Sequence, residues 1–261
     1  MKVKDVAEAL EKFAPLSLQE SYDNAGLQIG LTGDEEVSGV LLCLDVTEAV
    51  IDEAAELGCN MVVAHHPLLF HPLRRVALDT PEGRCAVAAV RNGVTVYAAH
   101  TNLDNTPDGV NFWIAEKIGL QDVGFLLPFT DGREGGSGAI GSLPEPLPED
   151  EALRLLATSL SAPRLRYAPG PGGLVERVAL CGGAGDFLIG EAVRQGAQLF
   201  FTGEVGYHRF FGHADELCVA ALGHYETEHC VTGLLERVLS DAFPALRVLI
   251  SETENPTPVL L

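Results

Sequence analysis

The stretch MVVAHHPLLF, residues 61–70, decides the fold class of this chain. Its first four residues are apolar, and a short apolar run is typical of a strand that is buried on both faces of a parallel sheet. Pro67 prevents the strand from continuing and keeps His66 extended. His65 and His66 are therefore predicted at the carboxyl end of a buried strand, where open α/β sheets bind their ligands.

This histidine pair has alternative interpretations. Neighbouring side chains on a strand point to opposite faces, so His65 and His66 are not expected to chelate one ion together. Either they bind two different metal ions or only one of them is functional. A hydrogen-bonded pair of core histidines is the structural alternative, because histidine is both a common metal ligand and a common buried polar residue.

Predicted strands and helices alternate along the chain. Strands are predicted over residues 39–45, 61–64, 94–99, 139–143, 178–181, 197–201, 218–222 and 246–250. Helices are predicted over residues 3–13, 47–57, 81–92, 107–118, 149–160, 187–194 and 225–242. This alternation is typical of βαβ units and predicts an α/β protein with mainly parallel sheets.

The polar, glycine-rich stretch PFTDGREGGSG, residues 128–138, interrupts the alternation and is typical of a linker. We therefore predict an N-terminal α/β lobe over residues 1–127 and a C-terminal α/β lobe over residues 128–261. The C-terminal helix is able to pack back on the first lobe. Cys43 and Cys181 each precede a helix, a glycine and an apolar strand at matching distances along the chain. This repetition predicts that the two lobes are similar.

A second group of polar residues lies at the start of the last predicted helix. His224 and Glu228 are one helical turn apart, on the same face as Val231 and Leu235. Polar side chains on such an inward face need partners, because burying them unpaired is costly. A metal ion would bind both side chains. The alternative is an N-terminal helix cap with a surface ion pair.

Asp104 ends the segment AHTNLD, residues 99–104, where it is either a ligand or a turn residue before Pro107. His100 is open to the same two interpretations. The histidine pair, Asp104 and the His-x-x-x-Glu pair all fall at strand ends or just beyond, so together they predict two divalent ions roughly 3.5–4 Å apart. The predicted metal ligands are His65, His66, Asp104, His224 and Glu228. Ligands of this type suit Zn, Fe, Mn or Ni alike.

Three polar side chains are candidates for proton transfer in catalysis, namely Glu204, His100 and His208. Glu204 and His208, with Tyr207, either line a polar pocket or lie on a surface loop. The glycine-rich segment Gly182–Gly185 follows a predicted strand, where backbone N–H groups can bind phosphate. It matches neither standard glycine fingerprint, so a tight turn is the preferred interpretation.

Composition limits the class of partner. The formal net charge of -20 argues against a nucleic-acid-binding or anionic-membrane surface, since both need an excess of Lys and Arg. Apolar runs fall short of the ~20 residues of a membrane span, and the N-terminus lacks the apolar core of a secretory signal. The six cysteines show no Cys-x-x-Cys spacing and are predicted to be free thiols. We predict a cytoplasmic protein without nucleic-acid or membrane partners.

Five ordered motifs identify a family resemblance. They are SYDNAGLQIG (21–30), AHHPLLF (64–70), AHTNLDN (99–105), TGE (202–204) followed by Tyr207-His208, and GHYETE (223–228). In this order they resemble the Ngg-interacting-factor-three-like family, whose bacterial members carry the label GTP cyclohydrolase I type 2 homologue. Typical members have a tryptophan where this chain has Tyr22. The chain resembles the short form of the family, without an inserted domain.

The resemblance implies two α/β lobes with a dinuclear metal centre in the cleft between them. It implies that His66 and Asp104 hold one ion, that His65 and His224 hold the other, and that Glu228 bridges both. It further implies a ring-shaped homohexamer. The family label implies opening of the guanine imidazole ring of GTP by metal-activated water.

The leading hypothesis for function is therefore a metal-dependent hydrolase with two divalent ions per chain, acting on a nucleotide or related small molecule. The alternative is a metal-binding adaptor or regulatory protein without turnover. Turnover by metal-loaded protein that is lost with the ligands separates the two.

Overall fold

Short apolar segments form the strands of two separate sheets in the computed structural model, which describes residues 1–30 and 32–253. The chain divides into two units. Among the described residues, unit 1 comprises those of 1–103 together with 231–253, and unit 2 comprises 104–230.

Strands and α-helices alternate over much of the chain. The strands are β1 (Gly26–Ile29), β2 (Val40–Cys43), β3 (Met61–Ala64), β4 (Thr95–Ala98), β5 (Gln121–Pro128), β6 (Gly136–Pro148), β7 (Arg166–Ala168), β8 (Leu174–Cys181), β9 (Leu199–Thr202), β10 (Cys218–Ala221) and β11 (Val248–Ile250). The α-helices are α1 (Val3–Phe13), α2 (Glu48–Glu56), α3 (Pro81–Asn92), α4 (Thr101–Asp104), α5 (Val110–Lys117), α6 (Glu149–Ser159), α7 (Ile189–Arg194), α8 (His224–Glu228) and α9 (Val231–Ala242).

The sheet of unit 1 has the strand order β1-β4-β3-β2-β11. Its last four strands are parallel, and β1 is an antiparallel edge strand. All residues of β2, β3 and β4 are buried, as expected for strands covered on both faces. The predicted strand over residues 61–64 is confirmed by β3.

The sheet of unit 2 has the order β5-β6-β8-β9-β10-β7. Strands β8, β9 and β10 are parallel, whereas β5, β6 and β7 pair antiparallel with their neighbours. The predicted α/β class with mainly parallel sheets is confirmed for the two sheets together, since five of their nine strand pairings are parallel, although three of the five pairings in unit 2 are antiparallel. The registers also agree between units, since Cys43 lies opposite Ala64 and Cys181 lies opposite Thr202.

The polar stretch at residues 128–138 is part of a β-hairpin in unit 2. Phe129 N donates to Gly135 O at 2.8 Å, and Pro128 lies opposite Gly136 in the β5–β6 register. The two units divide instead after Leu103 and after Cys230, away from the sequence-based boundary at 127/128. A polar, glycine-rich stretch is as typical of a hairpin turn as of a linker, which explains the difference.

Helices α2 and α3 each begin after a threonine that acts as the N-cap. The Thr47 hydroxyl accepts from Val50 N at 3.2 Å at the start of α2, and the Thr80 hydroxyl accepts from Gly83 N at 3.1 Å at the start of α3.

None of the helices in the described part of the chain combines the length and hydrophobicity that crossing a membrane requires.

The single helix predicted over residues 225–242 is wrong. The chain forms α8 and α9, separated by a turn at His229 and Cys230. Thr227 Oγ1 donates to Gly223 O at 2.9 Å, and a hydroxyl bonded to the carbonyl four residues earlier weakens and bends a helix. The break ends unit 2 and allows α9 to join unit 1, where it packs on α1 and β2.

Truncation of a core phenylalanine tests the packing of unit 2. Phe200 on β9 is fully buried, so Phe200→Ala is expected to lower the free energy of unfolding by about 3–5 kcal/mol. Phe187→Ala, which truncates a phenylalanine of the same unit that is 56% exposed, is the matched control and is expected to cost less than about 1 kcal/mol. Urea unfolding measures both, and equal losses would contradict the assigned core.

Candidate metal centre

The backbone positions His65 and His66 directly beyond β3. His65 N donates to Cys43 O at 3.1 Å and His66 N donates to Leu44 O at 2.9 Å, so the pairing with β2 continues past the strand end. His65 is buried and His66 is half-buried. The histidine pair thus lies at the carboxyl edge of the unit 1 sheet, as predicted from the sequence.

The structure brings these two side chains close together. The potential ligand atoms of His65, His66 and His100 all lie within 4.8 Å of one another. Ring centroids are 5.1 Å apart for His65 and His66, and 5.2 Å apart for His65 and His100. These distances are compatible with one ion held by both histidines and with two neighbouring ions.

The Nδ1 atom of each imidazole in this cluster has an acceptor. His65 Nδ1 lies 2.8 Å from Ala99 O, and His66 Nδ1 lies 2.8 Å from Asp45 Oδ1. A carbonyl or carboxylate oxygen accepts only, so Nδ1 carries the proton in both rings. Each ring therefore has the tautomer in which Nε2 is the metal-binding nitrogen.

His100 has the same arrangement with a buried carboxylate. Its Nδ1 lies 2.7 Å from Asp23 Oδ1, while Asp23 Oδ2 accepts from Thr101 N at 3.0 Å. Burial alone would raise the pKa of Asp23, but hydrogen bonds from His100 and Thr101 outweigh burial and lower this pKa to about 2. Asp23 is therefore ionised at neutral pH and fixes the orientation of the His100 ring.

In unit 2, helix α8 places His224 between two carboxylates. His224 Nδ1 lies 2.9 Å from Glu204 Oε1, and His224 Nε2 lies 2.8 Å from Glu228 Oε2. Glu228 is only 4% exposed. Glu204 accepts from Nδ1, so Nε2 shares either a proton or a metal ion with the Glu228 carboxyl group. Donor atoms bound to one zinc ion lie roughly 3 Å apart, which this spacing matches.

The carboxylates of Asp104 and Glu228 both interact electrostatically with the Cys181 thiol of unit 2. Burial raises the pKa of the Cys181 thiol, and the charges of Asp104 and Glu228 add to that effect. The backbone carbonyl of Asp104 accepts from Asn111 Nδ2 at 3.1 Å, which holds the end of α4. One carboxylate oxygen of Asp104 and one of Glu228 lie within 4.8 Å of each other, as a shared cation would require.

The glycine-rich segment after β8 has a role that sequence reasoning missed. A Cβ added to Gly183 would lie 2.1 Å from Glu228 Oε1, and Gly183 has a φ of +59°. Gly183 N donates to Thr227 Oγ1 at 3.1 Å, and Gly183 O accepts from Thr202 Oγ1 at 2.9 Å. The predicted tight turn therefore confines the Glu228 carboxylate. Two adjacent glycines at a strand end were the available signal.

The remaining candidates for proton transfer have different surroundings. Glu204 orients His224. His208 is exposed on the 3₁₀ turn Tyr207–Phe210, with its ring 5.2 Å from that of Tyr207. Among the described residues, His208 belongs to no group of potential metal ligands.

The four imidazoles share one feature that fits a metal site. In His65, His66, His100 and His224, Nδ1 contacts a carboxylate or a backbone carbonyl. Metal-binding histidines have this outer contact almost without exception, because it fixes the ring and its tautomer. The cluster of His and Glu side chains could hold a metal ion, and its nitrogen and oxygen donors suit Zn, Fe, Mn or Ni.

Comparison with known proteins identifies the family. The family description Duf34/NIF3 (NGG1p interacting factor 3) matches residues 1–256. The chain belongs to the Duf34/NIF3 family. This confirms the resemblance seen in the sequence motifs.

Two relatives in the Duf34/NIF3 family match over most of their length. The GTP cyclohydrolase 1 type 2 homolog of Clostridium perfringens is 32% identical over 87% of each chain. The homolog of Lactococcus lactis is 32% identical over 98% of each chain. The crystal structure of Staphylococcus aureus protein SA1388 is similar with a TM-score of 0.90 and 25% identity, and covers 100% of this chain and 99% of its own.

An alanine at Gly183 tests how Glu228 is confined. Gly172→Ala is the matched control, because Gly172 has a φ of +77° and an added Cβ meets no atom within 4 Å. Both variants are expected to lose about 1–2 kcal/mol of stability from the backbone conformation. Only Gly183→Ala is expected to bind zinc about 10–100-fold more weakly, since its Cβ displaces the carboxylate. Thermal unfolding and zinc titration measure these effects, and equal zinc affinity in both variants would refute the role of Gly183.

Proposed function

We propose that this chain is a metal-dependent hydrolase with two divalent ions, acting on a nucleotide or a related small molecule. The observation that supports this most is the shared arrangement of four imidazoles, each held at Nδ1, which leaves metal binding or proton transfer to Nε2. The names of the curated relatives, GTP cyclohydrolase 1 type 2 homologs, favour a purine nucleotide as the substrate.

The proposed ligands come from both units. We propose that His66 and Asp104 hold one ion, that His65 and His224 hold the other, and that Glu228 bridges the two. The donors are neutral imidazoles and carboxylates, which suit divalent ions of intermediate hardness. The buried Glu228 supplies the negative charge that two neighbouring cations need between them. The homohexamer implied by the family resemblance belongs to the same proposal.

Bound divalent ions would lower the pKa of water and polarise the group that water attacks. The residues of the chain supply the remaining functions. Of the three candidates for proton transfer, we retain His100. Its Nδ1 lies 2.7 Å from Asp23 Oδ1, so the lone pair of Nε2 can accept a proton. Glu204 acts instead as a positioning residue for His224, and His208 is exposed on its turn.

The proposed activity is tested with protein that retains its metal. Such protein is incubated with GTP and with a panel of other nucleotides, while loss of the purine absorbance and release of formate are recorded. Turnover that disappears on chelation and returns with added metal is the expected result. Full metal content without turnover on any nucleotide would favour the metal-binding adaptor.

Replacement of Glu228 separates a bridge from a terminal ligand. Glu228→Gln keeps the side-chain volume but removes the charge. The affinity for both ions is therefore expected to fall by a factor of at least about 10–100. His66→Ala and His224→Ala are expected to empty mainly one site each. His213→Ala, outside every group of potential ligands among the described residues, is the control and should keep about two ions per chain. Elemental analysis and metal titration decide, and a Glu228→Gln variant that retains one tight ion would show that Glu228 is no bridge.

The role of His100 predicts a different outcome. His100→Asn is expected to reduce kcat by about 10²–10⁴ while the metal content stays unchanged, because proton transfer is lost but the ligands remain. Asp23→Asn is also expected to reduce kcat, because the His100 ring loses the carboxylate that orients it. Loss of an ion from His100→Asn would instead make His100 a ligand together with His65 and His66.

A further inference from the structure

Two aromatic rings extend from the histidine cluster of unit 1. The centroid of the Phe70 ring is 6.1 Å from that of His100. Tyr22 packs edge-to-face on Phe70, with their centroids 6.4 Å apart. Tyr22 and Phe70, which we call the aromatic wall, therefore begin next to a side chain of the candidate site and continue outward from it.

The loop that carries Tyr22 is held on both sides of the aromatic wall. The next residue, Asp23, bonds to His100 and Thr101. Asn24 Nδ2 donates to Leu69 O at 2.7 Å, one residue before Phe70. These bonds tie the Tyr22 loop to the histidine cluster and to the Phe70 loop at the same time. The loop that carries Tyr22 is therefore held in part by the same Asp23 hydrogen bond that orients His100.

Tyr22 is nevertheless 65% exposed. An aromatic ring that stays exposed on a fixed loop forgoes the stabilisation that burial would provide. Burial in the protein core therefore does not account for this ring. A fixed, exposed aromatic face does suit a planar ligand, because nucleobases stack on aromatic side chains.

We propose that the aromatic wall binds the planar heteroaromatic ring of the substrate, and that Tyr22 determines the preference for substrates with such a ring. This inference rests on the proposed hydrolase function and deepens it by assigning the substrate class to named residues. The distance from Phe70 to His100 places a ring bound there beside the residue to which we assign proton transfer. Substrates without a planar ring, such as sugar phosphates, lack this contact.

Calorimetric titration of the metal-loaded protein tests this assignment without requiring turnover. Guanosine monophosphate and ribose 5-phosphate are the probes, because they differ by the purine ring. Tyr22→Ala is expected to weaken binding of guanosine monophosphate about 5- to 100-fold and to leave ribose 5-phosphate unchanged. Tyr22→Phe keeps the ring and is expected to bind guanosine monophosphate as the parent protein does. Tyr167→Ala, at a tyrosine of unit 2 that is 51% exposed, is the matched control and should have no effect.

Three outcomes would overturn the assignment. These are equal affinity of Tyr22→Ala and the parent protein for guanosine monophosphate, an equal loss for both probes, and a failure of the parent protein to bind guanosine monophosphate. Metal content and turnover are recorded on the same samples. Turnover with an unaffected Tyr22→Ala variant would overturn this inference alone. Ring-dependent binding without turnover would overturn the hydrolase proposal and leave the aromatic wall in place.

Discussion

In-register parallel pairing of β2, β3 and β4 is the constraint on which the candidate site of unit 1 depends. Cys43 lies opposite Ala64, and Ala64 lies opposite Ala98, so the three strands end at one level. The residues that follow must therefore lie side by side. Backbone bonds such as His66 N to Leu44 O extend the pairing by two residues, which brings Asp45 to the His66 ring. Hydrogen bonding of the backbone thus determines which side chains can orient the imidazoles.

Unit 2 uses the same register with different residues at the strand ends. Where His65 follows β3, Gly203 follows the corresponding strand β9. A Cβ at Gly203 would lie 2.6 Å from Gly183 O and 2.8 Å from His224 Cα, so no larger residue fits while α8 stays in place. The residues that directly follow β8 and β9 are glycines, and α8 places His224 and Glu228 in the space that remains. One architecture therefore carries its polar side chains on strand ends in unit 1 and on a helix in unit 2.

The sequence predicted those parts of the structure that local physics determines. An apolar run and Pro67 were sufficient to place β3 and the histidine pair, and Thr47 marked the start of a helix. The 5.1 Å distance between the ring centroids of His65 and His66 was not predictable, because it depends on side-chain rotamers that the local sequence does not determine. Strand β5 was missed, since its residues are largely exposed and its pairing partner β6 comes later in the chain. Asp23 was also missed as a partner of His100, because nothing local links residues so far apart in sequence.

The arrangement of unit 1 has a consequence for synthesis on the ribosome. Unit 2 is one continuous segment, so its strands and helices are complete once residue 230 has emerged. Unit 1 is not complete at that point, because β11, which pairs with the outer edge of β2, and α9, which packs on α1, come later in the chain. A nascent chain that ends before residue 231 therefore has an open sheet edge and an uncovered apolar helix face. Unit 1 is therefore the first to be synthesised in part and the last to be completed. Exposure of its sheet edge during translation favours contact with a chaperone.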